Sequence, residues 1–431
     1  MVYYAVNTAL DSRKPQIEAI KFKNIKERNN NYAKRMRTIF FEKPIYIRSG
    51  FTIVGPKEAD GNFGDCFDVC LKDDLWCEKS YEKCESKMHR DAITGAICKA
   101  GLKKQDIDFM LAGDLINECA PTALAARNFP TAFFGLYNAC STFTEAVIIG
   151  SALIDGGFAR NVTCSTSSHY SSAERQYRFP LELGNQRPPT AQWTVTGAGC
   201  TVLSAEKPTL ANFQVYEDDV IAIDKSLNID EKTLEKYKKS VEKQKKVLNQ
   251  DKSNIFEKNF VKEHNDYGHN PRCYVKVTCG TVGKVVDLGI DDESNMGAAM
   301  APAACDTLMT FFDDTKTSPS DYDGIFSGDL GRFGKETLEF LMKREGYELP
   351  DWYMDCGASY YAPEQKTFQG GSGAGCVNTA FNSYILKKLQ RGDIGRAVIV
   401  ATGALLNKDT PLQKETIPGI AHAFSVEIER V

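Results

Sequence analysis

Residues 137–160 read YNACSTFTEAVIIGSALIDGGFAR, and the rest of the chain is best interpreted from this stretch outward. Residues 133–136 close a short apolar run typical of a strand, residues 138–141 form a tight corner, and residues 144–154 carry apolar side chains at helical spacing. This order places Cys140 at a helix N-terminus. Unpaired backbone N–H groups and the helix dipole favour a thiolate there, so Cys140 is a candidate nucleophile. The alternative is a small buried cysteine that fills the turn.

The composition is that of an ordinary globular protein, with 42% hydrophobic and 26% charged residues in a chain of 431. The length predicts two or three domain-sized units. No apolar run reaches the roughly 18 residues of a membrane span, and the N-terminus lacks a hydrophobic signal core. We therefore expect a chain that stays in the cytoplasm or on a membrane face.

The 14 cysteines are scattered through predicted helices and strands, which favours free thiols in a reducing compartment. Four of them form a local cluster, Cys66, Cys70, Cys77 and Cys84. Their spacing matches no standard zinc pattern, so we predict no resident metal ion.

Landmarks of the first half recur in the second half at equal spacing. The predicted strand at 107–112 ends in a Gly-Asp-Leu corner at 113–115, and residues 317–330 repeat this order and end in Gly-Asp-Leu at 328–330. Counting back twenty residues from two arginines that precede strands leads to two cysteines, from Arg160 to Cys140 and from Arg396 to Cys376. The matches predict two copies of one βαβ-rich unit. Their strand-to-helix corners should face each other at one central site.

Two charged segments lie outside this repeat. Residues 1–38 hold nine basic residues against three acids, a net charge of +6 in a chain whose total is −4. Such an arm suits an anionic membrane surface or nucleic acid, at roughly 1 kcal/mol per basic residue near an anionic membrane; the alternative is a solvated tail. Residues 231–248 have the pattern of a basic amphipathic helix with a thin apolar face, which contacts a partner or is a solvated excursion.

The sequence thus predicts four parts of the chain: a basic extension (1–38), an N-terminal half (39–207), a charged insertion (208–271) and a C-terminal half (272–431).

Nine short blocks spread along the chain carry a resemblance to a known family. Among them are NACST at the corner, TAQWTVTGAG, NMGAAMAPAA, GGSGAGC and IPGIAHAFSVE. Together they resemble the thiolase-fold proteins and, within these, the stage V sporulation protein AD family, over about residues 40–207 and 275–427. The resemblance implies an α/β thiolase fold with duplicated halves in an α-β-α-β-α five-layer arrangement. It also implies a ligand pocket at the junction of the halves, near Cys140, Asp329 and Gly371.

The condensing enzymes among the thiolase-fold proteins use a cysteine together with a histidine and an asparagine, or a second histidine, that form an oxyanion site. Cys140 matches their nucleophile, but Asp329 stands where they carry histidine, and Gly371 stands where they carry asparagine. A carboxylate repels a developing negative charge, and losing one oxyanion donor typically costs about 3–4 kcal/mol. We therefore expect a site that has lost acyl chemistry. Two alternatives stay open: His169 or His422 substitutes as the base, or Asp329 caps the following helix as Asp114 does in the first half.

What the resemblance implies instead is binding. The family is known for binding pyridine-2,6-dicarboxylate (dipicolinate) and its calcium chelate, acting with membrane proteins that move this molecule into the forming spore. A flat dianion needs donors, and Asp329 suits a calcium ion that accompanies it. Arg178 and the N–H groups of residues 371–373 are further candidate donors. The predicted ligand-binding residues are Cys140, His169, Arg175, Asn295, Asp329, Gly371 and Ser372.

The resemblance implies a protein without a cofactor, peripheral to the cytoplasmic face of the forespore inner membrane. Its partners would be dipicolinate, membrane proteins of the same sporulation transport system and the anionic membrane surface, with no nucleic acid. Proteins of this fold often pair through the N-terminal half, which suggests a homodimer. Two other functions stay open: an acyl-transferring or condensing enzyme that uses Cys140, and a scaffold of a membrane transport complex that uses the basic arm and the 231–248 helix.

Overall fold

The computed structural model describes residues 36–177, 187–208 and 273–430. Most of the basic arm, the candidate donor Arg178 and the 231–248 segment therefore lie outside the described residues. Within the described ranges, no helix is both long and apolar enough to cross a membrane.

The strands form one large mixed sheet and one small parallel pair. The large sheet has the order β10-β9-β12-β13-β8-β1-β7-β5-β3-β4, with β2 beside β1, and β6 pairs with β11. The strands are β1 (Thr38–Val54), β2 (Val69–Cys70), β3 (Phe109–Gly113), β4 (Ala132–Gly135), β5 (Asn161–Ser168), β6 (Trp193–Thr194), β7 (Gly197–Ser204), β8 (Cys273–Thr281), β9 (Gly324–Gly328), β10 (Met354–Asp355), β11 (Gly371–Ser372), β12 (Arg396–Ala404) and β13 (Gly419–Arg430).

The strand order confirms the duplication that the sequence landmarks predicted. Reading outward from the antiparallel β1–β8 pair, one direction gives β1, β7, β5, β3 and β4, and the other gives β8, β13, β12, β9 and β10. In each half the two outer neighbour pairs are parallel and the inner ones antiparallel. The two halves therefore share one topology, related by a pseudo-twofold axis at the β1–β8 pair.

The helices complete five layers. They are α1 (Pro56–Ala59), α2 (Tyr81–Lys99), α3 (Ala120–Ala126), α4 (Thr142–Asp155), α5 (Tyr170–Tyr177), α6 (Met296–Thr315), α7 (Gly331–Arg344), α8 (Cys356–Tyr360), α9 (Cys376–Ala380), α10 (Leu386–Arg391) and α11 (Asp409–Leu412), with a π-helical turn (Phe381–Ile385) joining α9 to α10. Helix α4 contacts β1, β3 and β5 of one half and β12 and β13 of the other, so the two halves of the sheet face each other across it. Helices α2 and α6 cover the outer faces.

The middle layer is held by aromatic packing immediately behind the two cysteine corners. Phe143 of α4, Phe381 of the π-helical turn and Phe424 of β13 are fully buried, with ring centroids 5.5–6.0 Å apart. Burying each such side chain stabilises the fold by about 1.5–3 kcal/mol. This contact fixes the start of α4 against the second half of the protein.

Most sequence-predicted elements lie within a few residues of their observed positions, but α2 begins earlier than its apolar pattern suggested. Apolar residues at helical spacing between 88 and 100 predict a helix over that range, whereas the helix spans Tyr81–Lys99. The Ser80 hydroxyl accepts a hydrogen bond from the Lys83 N–H at 3.3 Å and so caps the earlier start. The extra turns matter for the site, because they reach the loop that carries His169.

Candidate functional site

The Cys140 corner has the strand, turn and helix that the sequence predicted. A 3₁₀ turn (Ala139–Ser141) leads into α4, and Ala139 has φ of 50°, in the left-handed region. The Ser141 hydroxyl donates to the Asn138 carbonyl at 2.8 Å and the Thr142 hydroxyl to the Ala139 carbonyl, also at 2.8 Å. These hydrogen bonds close the turn and hold Cys140 at the beginning of the helix.

Cys140 is buried in a small apolar cluster at the junction of the two halves. Only 6% of its surface is exposed, and it packs with Leu115, Ala139, Ala173 and, from the second half, Ala374. The end of β12 also approaches the corner, because a Cβ at Gly403 would lie 2.4 Å from the Asn138 carbonyl oxygen. Both halves thus contribute to the surroundings of Cys140, as the duplication predicted.

Asp329 is the most unusual polar group at this junction. It follows β9 with φ of 72°, it is fully buried, and neither carboxyl oxygen has a hydrogen-bond partner in the part of the chain that the structure describes. Burial and the neighbouring Asp355 raise the pKa of Asp329 well above its usual value, and the nearby Cys376 thiol and Gly373 N–H offset this only in part. Protonation of this carboxyl is therefore favoured relative to that of an exposed aspartate.

The twin of Asp329 shows what an ordinary acid at this position does. Asp114, after β3, accepts hydrogen bonds from the Ile116 N–H and from the N–H and hydroxyl of Thr122. These donors hold the first turns after the strand together. Asp114 is therefore a structural capping residue, as one alternative expected.

Asp329 has no capping role of this kind, because Asp355 of β10 takes it over. The Asp355 carboxylate accepts the N–H groups of Leu330 at 3.3 Å, Gly331 at 3.0 Å and Ala358 at 2.7 Å, and the Ser327 hydroxyl at 2.7 Å. The start of α7 is thus satisfied by a residue from a neighbouring strand. The capping hypothesis for Asp329 is wrong, and its carboxyl is left for another use.

Two buried side-chain amides belong to the surroundings of Asp329: Gln192 contacts its backbone, and Asn295, the predicted one, precedes the helix that packs against Leu330. The Gln192 Nε2 donates to the Asp329 carbonyl at 2.5 Å and to the Gly371 carbonyl at 3.3 Å, while its Oε1 is buried without a partner among the described residues. Asn295 precedes α6, is buried, and likewise has an Oδ1 without a described partner. A Cβ at Gly297 would lie 2.4 Å from the Leu330 carbonyl oxygen, so the start of α6 packs against the backbone just after Asp329.

Gly371 and Ser372 lie beside this group but do not form the anion-binding turn that the glycine run suggested. They form β11, which pairs in parallel with β6, Gly371 beside Trp193 and Ser372 beside Thr194. The Gly370 and Ser372 carbonyls each accept a backbone hydrogen bond from the β6 segment at 2.8 Å. The Ser372 side chain and the Gly373 N–H remain the groups of this segment that are relevant to a ligand.

The side chains of His169 and Arg175, two of the predicted ligand-binding residues, make contacts with the residues at and before the start of α2. The His169 Nε2 lies 2.8 Å from the Asp74 carbonyl, Nδ1 accepts the Ser171 N–H at 3.2 Å, and the ring packs on Tyr81. Arg175 forms an ion pair with Glu82 of α2. Both side chains therefore fasten α5 and its loop to the N-terminal end of α2 and the residues before it, and the His169 ring anchors its own loop by hydrogen bonds.

His422 comes closer to the Cys140 corner, but its ring nitrogens are also engaged. Nδ1 accepts the Gly283 N–H at 3.1 Å, and Nε2 lies 3.3 Å from the Asn138 side-chain amide. Burial lowers the pKa of His422 to about 4, so the ring is neutral, and with Nδ1 accepting, its proton is assigned to Nε2. The Nε2–H group then pairs with Asn138 when the amide is turned so that its Oδ1 faces the ring. Such a ring has no spare lone pair to take a proton from a thiol.

His89, the third histidine within the described ranges, belongs to a separate buried network under α2. Its Nε2 lies 2.9 Å from the Ser165 hydroxyl, and its Nδ1 lies 3.1 Å from the Ser167 hydroxyl and 3.3 Å from that of Thr122. Each of the three described imidazoles thus has both nitrogens occupied by groups other than the Cys140 thiol. The geometry that general-base activation of Cys140 needs is not built from these three side chains.

Comparison with solved structures shows the class of fold. Cerulenin-bound OleA of Xanthomonas campestris is 11% identical to this chain, with a TM-score of 0.50 over 92% of this chain and 100% of that one. Human mitochondrial 3-ketoacyl-CoA thiolase in complex with CoA is 10% identical, with a TM-score of 0.49 over 91% and 99%. The duplicated halves and five layers, together with the likeness to OleA, make this a thiolase-fold protein.

Sequence comparison narrows this class to one family. The family model described as stage V sporulation protein AD matches residues 35–229 and 267–427. The stage V sporulation protein AD of Bacillus subtilis (strain 168) is 38% identical over 392 residues, which cover 91% of this chain and 96% of that protein. The chain belongs to the stage V sporulation protein AD family.

Proposed function

We propose that this protein binds dipicolinate, free or as its calcium chelate, in the junction between Cys140, Asp329 and Gly371. The proposal rests on the family and on one observation, the fully buried Asp329 carboxyl with no hydrogen-bond partner among the described residues. A buried polar group left unpaired costs about 1–3 kcal/mol, which a stable fold tolerates where a ligand completes the pairing. Its twin Asp114, which has three donors, is the internal comparison.

The chemistry of Asp329 supports both forms of the ligand, by opposite protonation states. As a neutral acid it donates one O–H to a carboxylate of the free dianion. As a carboxylate it supplies the hard oxygen that calcium prefers, and the chelated ion arrives with the ligand as cargo. Because burial raises the pKa of Asp329, the neutral form is available to the free dianion, while the calcium chelate has to displace the proton.

The neighbouring amides add groups of either sign. Gln192 and Asn295 each present a buried side-chain oxygen without a described partner. The Asn295 amide can turn to present N–H₂ instead, whereas the Gln192 N–H₂ is held by the Asp329 and Gly371 carbonyls. The Ser372 hydroxyl and the Gly373 N–H, the latter beside Asp329, are further donors of this segment. A flat ring with two carboxylates has a charged edge for such donors and apolar faces for the cluster around Cys140.

Calorimetric titration of the purified protein tests the proposal. Dipicolinate should give saturable heat, both without calcium and with one equivalent of it. The free dianion should bind more weakly as the pH rises through the raised pKa of Asp329, because its donor is lost, and the chelate should bind more tightly over the same range. Absence of saturable heat at millimolar ligand for both forms would contradict the proposal.

An acyl-transferring or condensing enzyme is the second candidate. The left-handed Ala139 and the position of Cys140 at the start of α4 favour it, because they resemble the geometry that presents a nucleophile. The occupied nitrogens of the described histidines and the acid at 329 oppose it. Incubation with acyl-CoA followed by mass spectrometry should leave Cys140 unmodified, and a stable acyl adduct on Cys140 would establish the enzyme instead.

The proposal includes a site of action at the cytoplasmic face of the forespore inner membrane, together with membrane proteins of the same transport system.

The proposal also includes a homodimer that forms through the N-terminal half. Strand β4 is the exposed edge of the sheet there, with Phe133 and Phe134 40% and 45% exposed, and an unpaired apolar edge favours addition of a second copy. Light scattering of the purified chain measures this, and a monomer at working concentration would contradict it.

A further inference from the structure

The side chain of Gln192 joins the two corners of the candidate site, at Asp329 and Gly371. Gln192 lies just before β6 and is only 2% exposed. Its Nε2 donates to the Asp329 carbonyl at 2.5 Å and to the Gly371 carbonyl at 3.3 Å. Two carbonyl acceptors fix the orientation of the amide, because turning it over would set its oxygen against theirs. One side chain therefore determines how far apart the two corners lie.

The backbone around Gln192 is itself held by the segment that leads into β11. The Gln369 N–H donates to the Ala191 carbonyl at 3.3 Å, and the Trp193 N–H donates to the Gly370 carbonyl at 2.8 Å. These two hydrogen bonds lie on either side of Gln192 along the chain. The amide is thus fixed from its own backbone before it reaches the two carbonyls.

The chain after Asp329 leaves room for this amide because residue 331 is glycine. Gly331 has φ of 66°, and a Cβ there would lie 3.0 Å from the Gln192 Nε2 and 2.7 Å from the Gln369 carbonyl oxygen. A larger residue at 331 would push the amide away from the Asp329 carbonyl. The second half of the protein is therefore shaped to receive the Gln192 side chain.

Asp329 has a backbone conformation that its own side chain does not stabilise. Its φ of 72° is in the left-handed region, which aspartate usually occupies with the help of a hydrogen bond from its side chain to its own turn. Among the described residues, the Asp329 carboxyl makes no such bond. Its twin Asp114 has no positive φ, and the Asp114 carboxyl turns back onto Thr122. Strain of this kind persists where the surroundings hold it, and here Gln192 holds the Asp329 carbonyl while Asp355 holds the N–H groups that follow.

We propose that Gln192 is a positioning residue of the ligand site: by holding the carbonyls of Asp329 and Gly371, it fixes the left-handed turn that presents the Asp329 carboxyl. This role rests on the proposed function, since it states how the acid that binds dipicolinate is aimed. In this arrangement the carboxyl lies near the Cys376 thiol and the Gly373 N–H, at the start of α9. Gln192 acts through Asp329, and no contact between Gln192 and the ligand is part of the proposal.

Calorimetric titration of the Gln192→Met variant with dipicolinate tests this role. Methionine has nearly the same length as glutamine but no N–H donor, so the variant should bind the free dianion at least about tenfold more weakly than the wild type. Its affinity should also lose the fall with rising pH that is expected of the wild type, because the Asp329 carboxyl is no longer held in place. A purely structural contact would instead weaken binding by the same factor at every pH.

Gln365→Met is the matched control for the loss of an amide contact between the two halves. The Gln365 Nε2 donates to the Lys57 carbonyl at 2.7 Å, so the control also removes a hydrogen bond across the halves. It should keep the affinity and the pH profile of the wild type. Gln192→Glu is a milder second variant, because a neutral glutamic acid keeps one O–H donor, and it should show the same changes as Gln192→Met to a smaller extent.

Carbon-13 NMR of protein labelled at its aspartate carboxyls tests the role without any ligand, with Asp329→Asn identifying the signal. The titration midpoint of Asp329 should move toward that of an exposed aspartate by roughly one pH unit in Gln192→Met and should not move in Gln365→Met. An unchanged midpoint would overturn the proposal, as would loss of dipicolinate affinity with an unchanged pH profile, or equal losses in Gln192→Met and Gln365→Met. Absence of dipicolinate binding by the wild type would contradict the proposed function, and the NMR titration would then decide whether Gln192 positions the carboxyl.

Discussion

Replacing Asp329 with asparagine is expected to weaken binding of the calcium chelate roughly ten- to hundredfold while leaving the free dianion bound. A charged hydrogen bond or ligand contact is worth about 1.5–3 kcal/mol, and the neutral amide loses the negative charge that calcium prefers. The amide keeps an N–H donor in nearly the same place as the O–H of the neutral acid. The free dianion should therefore bind the variant at every pH, without the loss at high pH expected for the wild type.

Calorimetry of both ligand forms at several pH values measures this difference. Asp351→Asn is the matched control, since it makes the same change of charge at an exposed turn. The control should bind both forms like the wild type. If the Asp329→Asn variant also binds both forms like the wild type, with the same pH dependence, Asp329 does not face the ligand.

The second large effect concerns the stability of the fold. Asp355→Ala is expected to lower the free energy of unfolding by about 3–5 kcal/mol, because it strands three N–H groups, two of them in buried contacts, and removes one of the two partners of the Ser327 hydroxyl. Asp329→Ala should lower the free energy of unfolding by no more than about 1 kcal/mol and can raise it at neutral pH, because the carboxyl loses only the nearby Cys376 thiol and Gly373 N–H and its burial opposes ionisation. Asp355→Ala and Asp329→Ala thus form a matched pair of substitutions at two buried acids.

Denaturant unfolding of both variants at neutral pH gives these values. The pH dependence adds a second test. The folded-state pKa of Asp329 is raised, so its contribution to stability is fully present below its unfolded pKa of about 4 and is lost as the pH rises through the folded value. Asp329→Ala should remove that part of the decline. Equal destabilisation by both substitutions would show that Asp329 has a structural role like that of Asp355.

The duplication made much of the fold predictable from sequence. Equal spacing from Arg160 to Cys140 and from Arg396 to Cys376 identified the two corners, which lie at the starts of α4 and α9. The repeated Gly-Asp-Leu corners after β3 and β9 identified Asp114 and Asp329. Local patterns of this kind are visible because strand, turn and helix each have their own residue preferences.

The direction of side chains was not predictable in the same way. His169 and Arg175 lie in a stretch that resembles the family pattern, but His169 packs on Tyr81 and bonds to Asp74 just before α2, and Arg175 pairs with Glu82 in its first turn, which the apolar spacing of α2 did not reveal. The different roles of the two corner acids were equally hidden. Asp114 accepts a hydrogen bond from the N–H of Thr122, eight residues later in the chain. In the second half, the N–H groups of Leu330 and Gly331, which follow Asp329, donate to Asp355 instead.

Gln192 and Asp355 were missed because their importance comes from contacts across the fold. Gln192 meets the Asp329 carbonyl from 137 residues away, and Asp355 reaches Leu330 from the next strand. No spacing rule connects such positions. The sequence signal that leads to the surroundings of Asp329 is the repeat itself. It relates the Cys140 corner of the first half to Cys376 and the glycines before it in the second half.

Protection of Cys140 from alkylation is the measurement that bears most directly on a ligand held at the junction of the two halves. Peptide mass spectrometry follows labelling of Cys140, which is buried, and of Cys77, which is exposed and serves as the control within the same molecule. Saturating dipicolinate should slow labelling of Cys140 by a factor that follows the occupancy measured by calorimetry and should leave Cys77 unchanged. Saturable binding with an unchanged rate at Cys140 would place the ligand elsewhere and contradict the account.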